Sequence, residues 1–339
     1  MHLSISDGAL LTVVDSVSLW QKSLSETLLA NDVLFYDGCN YSLASIHQHH
    51  LNFHLCCRIN KHMVRQQELP IPREKQPDRN SSLGGKSFYF FDLDENVFHV
   101  ESAHYVFHKT TGERKEVPGK LFWEEVDHIG KKGILKDFEI RPDDHIAGSF
   151  QRFRDVEGQP YHQQPFIEDL ERALDCGEFK GPSWNEFHHA VTNQRSMAVI
   201  TARGHHPETI KAGIEQFTKR KILEGTPNYL SVLPVSHPDV QKTLGGGTVP
   251  ELKRKALRYV VEEAFKLYGY NDYHRFGMSD DDPKNVQKII EEFTRLKKDY
   301  PKVSFFVIET TRGRSNKWEV FADHAEKQVL AQGEQLSFF

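Results

Sequence analysis

Four consecutive aromatic residues lead directly into a cluster of acids in the segment from Phe88 to Val97, which reads FYFFDLDENV. An aromatic run favours a buried β-strand, because ring-bearing side chains suit a pleated, covered surface. Asp92 and Asp94 follow the run, and carboxylates this close in the chain repel one another unless a cation lies between them. The segment therefore predicts a buried strand that presents acids to a ligand at its carboxyl end.

Four further apolar runs have the length and composition of buried strands, at 196–201, 228–235, 273–279 and 303–309. Amphipathic helical stretches separate them, at 206–223, 249–269 and 283–300. Strands that alternate with helices predict an α/β protein of Rossmann-like type, with a mostly parallel sheet that carries helices on both faces.

Two parts of the chain lie outside this regular pattern. Residues 1–85 are predicted to be a poorly ordered N-terminal extension, because a polar, proline-bearing linker precedes the first strand. The compact domain is predicted at 86–339. The interval 97–195 is too long for one crossover between the first two strands, and it contains two helical patterns of its own. We interpret it as an insertion that forms a cap over the site.

The composition favours a small-molecule partner. The chain has 339 residues and a formal net charge of -5, which gives no sign of an extended nucleic-acid-binding surface. No apolar run approaches the roughly 20 residues of a membrane span, so no membrane partner is expected. The four cysteines have no regular spacing, which argues against a disulfide framework and favours a reducing compartment. We predict a cytoplasmic protein.

Polar residues follow three of the predicted strands. Ligands of open parallel sheets bind outside the carboxyl ends of the strands, so these residues are predicted to share one site. Clustered carboxylates at such a site suit Mg²⁺ and a substrate phosphate, and a lysine at the start of a nearby helix would balance the phosphate charge. The candidates are Asp92, Asp94, Thr201, Ala202, Arg203, Asp280, Asp281 and Asp282, with Lys253 or Lys255 as the lysine.

The order of these motifs resembles the haloacid dehalogenase-like (HAD) hydrolase superfamily. FYFFDLDEN resembles the family's first motif, Asp-x-Asp-x-Thr/Val, with Asn96 at the Thr/Val position. MAVIT, which ends in Thr201, resembles the second motif, and Lys253 in KRKAL resembles the third. GMSDDDPKN resembles the acidic fourth motif loosely, because Met278 and Ser279 separate the glycine from the acids.

The resemblance implies an Mg²⁺-dependent phosphatase that hydrolyses a small phosphomonoester through an aspartyl-phosphate. In that reading Asp92 is the nucleophile and Asp94 the general acid and base. Thr201 and Lys253 would hold phosphoryl oxygens, with Ala202 and Arg203 as further substrate contacts. Mg²⁺ would be bound by Asp92, the backbone carbonyl of Asp94, and Asp280 or Asp281.

Three alternatives stay open at this point. Asp281 is the favoured metal ligand of the fourth motif, because Asp281 and Asn285 have D-x-x-x-N spacing, but Asp280 is a close second. The enzyme could transfer phosphate to an acceptor other than water. A third reading is a catalytically silent protein that binds a phosphate ligand on the same fold. The presence of Asp94 favours an enzyme, because a simple binding protein does not need the acid and base.

Overall fold

The computed structural model describes residues 33–36, 39–42, 75–141, 148–310 and 315–327. The chain divides into two compact units, Met1–Gln66 and Gln67–Phe339. In the first unit, strand β1 (Val33–Tyr36) pairs antiparallel with strand β2 (Cys39–Ser42). The other residues up to 74 lie outside the described part of the chain, so the poor order predicted for them stays a prediction.

The second unit alternates strands and helices along most of its length. Its described strands are β3 (Ser87–Phe91), β4 (His104–His108), β5 (Arg114–Val117), β6 (Phe138–Glu139), β7 (Ser196–Thr201), β8 (Asn228–Pro234), β9 (Arg275–Asp280), β10 (Ser304–Glu309), β11 (Asn316–Val320) and β12 (Ala325–Lys327). Its described α-helices are α1 (Gly119–Glu125), α2 (Pro165–Cys176), α3 (Trp184–Thr192), α4 (Pro207–Lys219), α5 (Pro238–Leu244), α6 (Val249–Tyr268) and α7 (Pro283–Asp299).

The main sheet has the strand order β12-β11-β10-β9-β3-β7-β8. Neighbouring strands from β10 to β8 are parallel, whereas β11 and β12 add an antiparallel edge. In the central strand, Phe91 lies opposite Val199 of β7 and Ser279 of β9, so the carboxyl ends of the three strands lie close to one level. The predicted α/β class with a mostly parallel sheet is confirmed.

Alternating side chains of β3 supply apolar cores on both faces of the main sheet. Phe88 and Phe90 lie in one core with residues of α6 and α7, and Tyr89 and Phe91 lie in the other with residues of α2, α3 and α4. All four side chains are at most 2% exposed. Because both faces of the aromatic strand are covered, the prediction of helices on both faces is confirmed.

The start of α6 is defined by local sequence. Glu251 accepts a hydrogen bond from the backbone N–H of Thr248 at 3.0 Å, and Pro250 occupies the first turn, where its missing N–H costs nothing. Leu252, like Ala256 one turn later, is fully buried against the sheet. This placement brings the neighbouring residue, Lys253, to the carboxyl ends of the strands.

The interval between β3 and β7 contains two different kinds of structure. Strands β5, β4 and β6 form a small antiparallel sheet with its own apolar cluster, which includes Val106, Val117 and Phe122. Helices α2 and α3 instead pack on the main sheet, because their apolar faces cover the Tyr89 and Phe91 side of β3. The separate part of the interval is therefore shorter than the 97–195 predicted, and its role as a cap stays a prediction.

Residues 75–85, which we predicted as part of the extension, belong to the second unit. Arg195, at the end of the main sheet where β7 begins, pairs with Asp78 at 2.9 Å and donates to the carbonyls of Gln76 and Pro77 at 2.7 Å. A Cβ atom at Gly85 would lie 2.3 Å from the carbonyl oxygen of Tyr273, so this close approach requires glycine. The second unit therefore begins nearer the N-terminus than the predicted start at residue 86.

Two findings bear on the expected location of the protein. Across the described residues, no helix combines the length and the apolar character needed to cross a membrane. Cys176, the last residue of α2, is disulfide-bonded, so the reduced state expected from cysteine spacing is wrong for this residue. The cytoplasmic location stays a prediction.

Candidate functional site

Three charged side chains meet where β3 and β9 end and α6 begins. Asp92 follows the last residue of β3, and Asp280 is the last residue of β9. Lys253 Nζ lies 2.7 Å from Asp280 Oδ2 and 3.1 Å from Asp92 Oδ1. All three residues are buried, with exposed fractions of 2% for Lys253, 5% for Asp92 and 0% for Asp280. The predicted convergence of these three residues is therefore present in the structure.

A third acid completes this cluster. Asp92, Asp280 and Asp281 each place a carboxylate oxygen within 4.8 Å of the others. Three carboxylates beside one ammonium leave two excess negative charges in a buried place, which is costly without a further cation or protons. The sequence prediction that Asp280 and Asp281 accompany Asp92 thus agrees with the geometry.

Burial changes the protonation of this cluster. It raises the pKa of Asp92 well above its ordinary value, and the charge of Lys253 only partly offsets this. Burial, with the charge of Asp280 added, raises the pKa of Asp281 to about 7. For Lys253, burial lowers the pKa, but Asp280 and Asp92 together outweigh burial and raise it. The lysine is therefore charged at neutral pH, and burial favours the protonated forms of Asp92 and Asp281 unless another cation joins them.

Asn285 donates a hydrogen bond to Asp280. Asp280 Oδ1 accepts hydrogen bonds from Asn285 Nδ2 and from the backbone N–H of Asp282, both at 3.1 Å. The D-x-x-x-N spacing led us to favour Asp281 as the metal ligand of this motif; the cluster contains both acids, so the choice between them stays a prediction. Asn285 Oδ1 is buried and has no hydrogen-bond partner among the described residues. An open, buried acceptor therefore lies next to the acids.

The donor atoms of the cluster fit a hard divalent cation. They are carboxylate oxygens from Asp92, Asp280 and Asp281, and hard cations such as Mg²⁺ and Ca²⁺ take oxygen ligands. Two excess negative charges also match the charge of one such ion. Asp94 was predicted to contribute its backbone carbonyl, and its carboxylate is not part of the cluster.

Asn96 fixes the backbone of the loop that follows β3. Its Nδ2 donates to the carbonyl of Asp92 at 3.0 Å, and to the carbonyl and hydroxyl of Ser279 at 3.1 and 2.8 Å. Its Oδ1 accepts from the hydroxyls of Ser183 and Thr310 at 2.9 and 2.8 Å. Asn96 is fully buried, so these bonds replace water and join the ends of three strands and a helix start. Asn96, at the position where the resembled motif has Thr or Val, thus has a structural role.

Asp94 lies beside the cluster and pairs with an arginine. Arg203 Nε lies 3.0 and 2.9 Å from the two carboxylate oxygens of Asp94, and Arg203 Nη2 lies 2.6 Å from Oδ1. Arg203 is 1% exposed, whereas the side chain of Asp94 is 30% exposed. The structure therefore directs Arg203 at Asp94, and the contact with substrate that we predicted for it stays a prediction.

The remaining predicted residues divide between the site and its surroundings. Thr201 is the last residue of β7 and is fully buried, and Ala202 after it is exposed. Lys255, the alternative phosphate lysine, instead donates to the carbonyl of Gly246 at 2.6 Å in the loop before α6. Of the two lysines, only Lys253 contacts the acids of the cluster in the described structure.

No family model, no curated protein and no solved structure matches this chain. What the site does is therefore inferred from its own residues. The sequence missed the partners of Arg203 and Asn96. The one available signal for Arg203 was its position two residues beyond the carboxyl end of β7.

Metal binding is expected to stabilise the protein more at high pH than at low pH. The pKa of Asp281 is about 7 in the folded protein against an ordinary 3.8, so the folded state binds this proton more tightly than the unfolded state. The resulting stability is fully present below about pH 4 and is lost as the pH rises through about 7. Mg²⁺ should offset this loss, because it neutralises the same carboxylates.

The measurement is the melting temperature at pH 5 and pH 8, with and without Mg²⁺. We expect the increase caused by Mg²⁺ to be larger at pH 8, and Asp281→Asn to reduce it. Asp282→Asn is the matched control, because the side chain of Asp282 accepts a hydrogen bond from the backbone N–H of Lys284 at the start of α7. Equal Mg²⁺ responses at both pH values would contradict the assignment of these acids as ligands.

Proposed function

We propose that this protein is an Mg²⁺-dependent phosphatase of the HAD type that hydrolyses small phosphomonoesters through an aspartyl-phosphate. The observation that carries the proposal is the buried Lys253, which lies between Asp92 and Asp280 with Asp281 beside them. A lone buried lysine and aspartate would balance each other. Here the carboxylates outnumber the lysine, so a further cation would balance the charge of the site and could in turn bind an anionic substrate.

The position of the site supports this proposal. From β3 the chain proceeds to β7 and β8 on one side, and it then returns to β9 on the other side of β3. The strand order therefore reverses at β3, and ligands of open α/β sheets bind at the carboxyl edge of such a point. Asp92 and Asp280 lie there, at the ends of β3 and β9.

Each residue has a definite chemical task in the proposed reaction. Asp92 attacks phosphorus while the bond from phosphorus to the leaving oxygen breaks, which divides one difficult displacement into two easier ones. Asp94 donates a proton to the leaving oxygen and later takes one from the attacking water. Lys253 reduces the repulsion between Asp92 and the phosphoryl oxygens. The chemistry that Mg²⁺ supplies when bound is neutralisation of charge on the phosphate and the carboxylates.

The test is phosphate release from a panel of esters. The panel contains p-nitrophenyl phosphate and the phosphates of simple alcohols, sugars and nucleosides, each assayed with Mg²⁺ and with a chelator. We expect release from at least one ester with Mg²⁺ and none with the chelator. Formation of a phosphate ester of an added alcohol, without release of free phosphate, would identify a phosphotransferase. Silence across the panel with metal present would contradict the hydrolase.

A further inference from the structure

The guanidinium of Arg203 is enclosed by groups from three parts of the chain. Its Nη2 donates to the hydroxyl of Ser102 at 3.0 Å in addition to Asp94. The rings of Phe153 and Phe166 have their centroids 4.9 and 4.5 Å from its Cζ atom, within range of a cation–π interaction. The guanidinium is therefore held by an ion-pair partner, a hydroxyl and two aromatic rings.

The backbone next to Arg203 is also held in place by contacts with the segment around Phe153. The backbone N–H of Gly204 donates to the carbonyl of Phe153 at 2.9 Å. A Cβ atom at Gly204 would lie 2.7 Å from Nη1 of Arg154, so the two segments approach closely. Ser102 and Phe153 both come from the interval between β3 and β7, and this interval is thereby fastened to Arg203.

Asp94, in contrast, has little of its own to orient it. It follows the end of β3 in a tight turn, in which the next residue, Glu95, has a φ of +54°. A side chain that is 30% exposed in such a turn would sample several rotamers. Arginine presents a rigid fork of donors that matches a carboxylate, so the contacts to both oxygens select one orientation.

We propose that Arg203 is a positioning residue for Asp94, which it holds in the orientation that gives a proton to the leaving oxygen and later takes one from the attacking water. This inference rests on the proposed function. Each carboxylate oxygen has two lone pairs, so the three contacts with Arg203 leave the exposed side of Asp94 able to carry a proton. The contacts with Ser102 and Phe153 further make this orientation dependent on the interval between β3 and β7.

The reaction itself provides a readout for this role. In the first step the proton of Asp94 moves to the leaving oxygen, which keeps the electron pair of the broken bond to phosphorus, while Asp92 forms its own bond to phosphorus. An alkoxide needs that proton to leave, whereas p-nitrophenolate is a stable anion and does not. A misplaced acid therefore slows alkyl phosphates selectively, while a loss of folded enzyme slows both substrates equally.

The experiment compares kcat/KM for an alkyl phosphate and for p-nitrophenyl phosphate in wild type, Arg203→Gln and Arg203→Lys. This ratio reports the steps up to release of the leaving group and excludes the later hydrolysis of the aspartyl-phosphate, which is the same for both substrates. We expect Arg203→Gln to lower kcat/KM on the alkyl phosphate by about 100-fold or more and on p-nitrophenyl phosphate by less than about tenfold, because general acid catalysis contributes roughly 10²–10⁴. Arg203→Lys should recover only part of the loss, and Asp94→Asn should show the same selectivity.

Two further variants keep the test decisive if Arg203→Gln folds poorly. Ser102→Ala removes one contact and leaves the ion pair, so it should give a smaller loss with the same substrate selectivity. Arg195→Gln is the matched control, because Arg195 is an 8% exposed arginine that pairs with Asp78 at the opposite end of β7. It should lower the melting temperature and slow both substrates equally.

The possible failures are distinct. Equal losses of kcat/KM on both substrates in Arg203→Gln would overturn the positioning role and leave the phosphatase intact. A wild type that is inactive on every ester would overturn the proposed function, and the positioning role with it.

Discussion

Asp92→Asn is expected to abolish phosphate release and to leave the protein at least as stable as wild type. Loss of a nucleophile costs about 10⁴-fold or more in turnover, because the amide cannot attack phosphorus. Stability should not fall, because Asp92 is a buried acid whose pKa is raised by burial and by three neighbouring acids. The substitution removes one of two excess negative charges and keeps the shape of the side chain.

Steady-state phosphate release and the melting temperature, measured on the same preparations, test both halves of this expectation. Lys253 keeps its 2.7 Å contact with Asp280 in the variant, so no buried cation is left unpaired. Asp282→Asn is the control for a nearby change from acid to amide, because Asp282 caps the start of α7 and asparagine is as good a capping residue as aspartate. Its activity should be unchanged. Turnover above about one tenth of wild type in Asp92→Asn would rule out Asp92 as nucleophile, since the expected loss is about a thousand times larger.

The central sheet was predictable because its signals are local. The strands predicted from the aromatic run that begins at Phe88 and at 196–201 and 303–309 are observed at Ser87–Phe91, Ser196–Thr201 and Ser304–Glu309, since each is a continuous apolar run that needs burial on both faces. Strands β11 and β12 were missed. Their sequences, NKWEV and AEK, are short and polar, and they are strands because they pair at the edge of the sheet.

The site was predictable only as far as strand ends place residues together. Asp92 and Asp280 end neighbouring parallel strands, so their meeting follows from the fold. Asn96 bonds to Asp92 in its own loop, but it also bonds to Ser279 and Thr310, which lie far along the chain. The pair of Arg203 with Asp94 likewise depends on how the loops after β3 and β7 fold towards each other, which no sequence spacing records.

Lys253→Met should cause the largest loss of stability among these substitutions. Lys253 is 2% exposed and is the cation that contacts Asp92 and Asp280. Methionine fills a similar volume, so the effect isolates the charge. Removing one partner of a buried ion pair costs about 3–5 kcal/mol, because the remaining charge is left uncompensated. Phosphate release should also be lost, since the phosphate would meet unbalanced carboxylates.

The pH dependence and a second substitution distinguish lost charge from lost packing. Burial already raises the pKa of Asp92 and that of Asp281 in the wild type, so without the lysine these acids should take up protons as the pH falls. The free energy of unfolding of Lys253→Met should therefore approach that of wild type towards pH 5, and lie furthest below it above about pH 7.

Adding Asp280→Asn to Lys253→Met should restore part of the stability at pH 8, because it removes a carboxylate that the lysine balanced. Lys255→Met is the matched control, since Lys255 contacts only backbone carbonyls of Gly245 and Gly246 in the described structure. If Lys253→Met is equally destabilised at pH 5 and pH 8, and Asp280→Asn restores nothing, the lysine contributes by packing. The charge balance from which we infer the phosphate site would then be wrong.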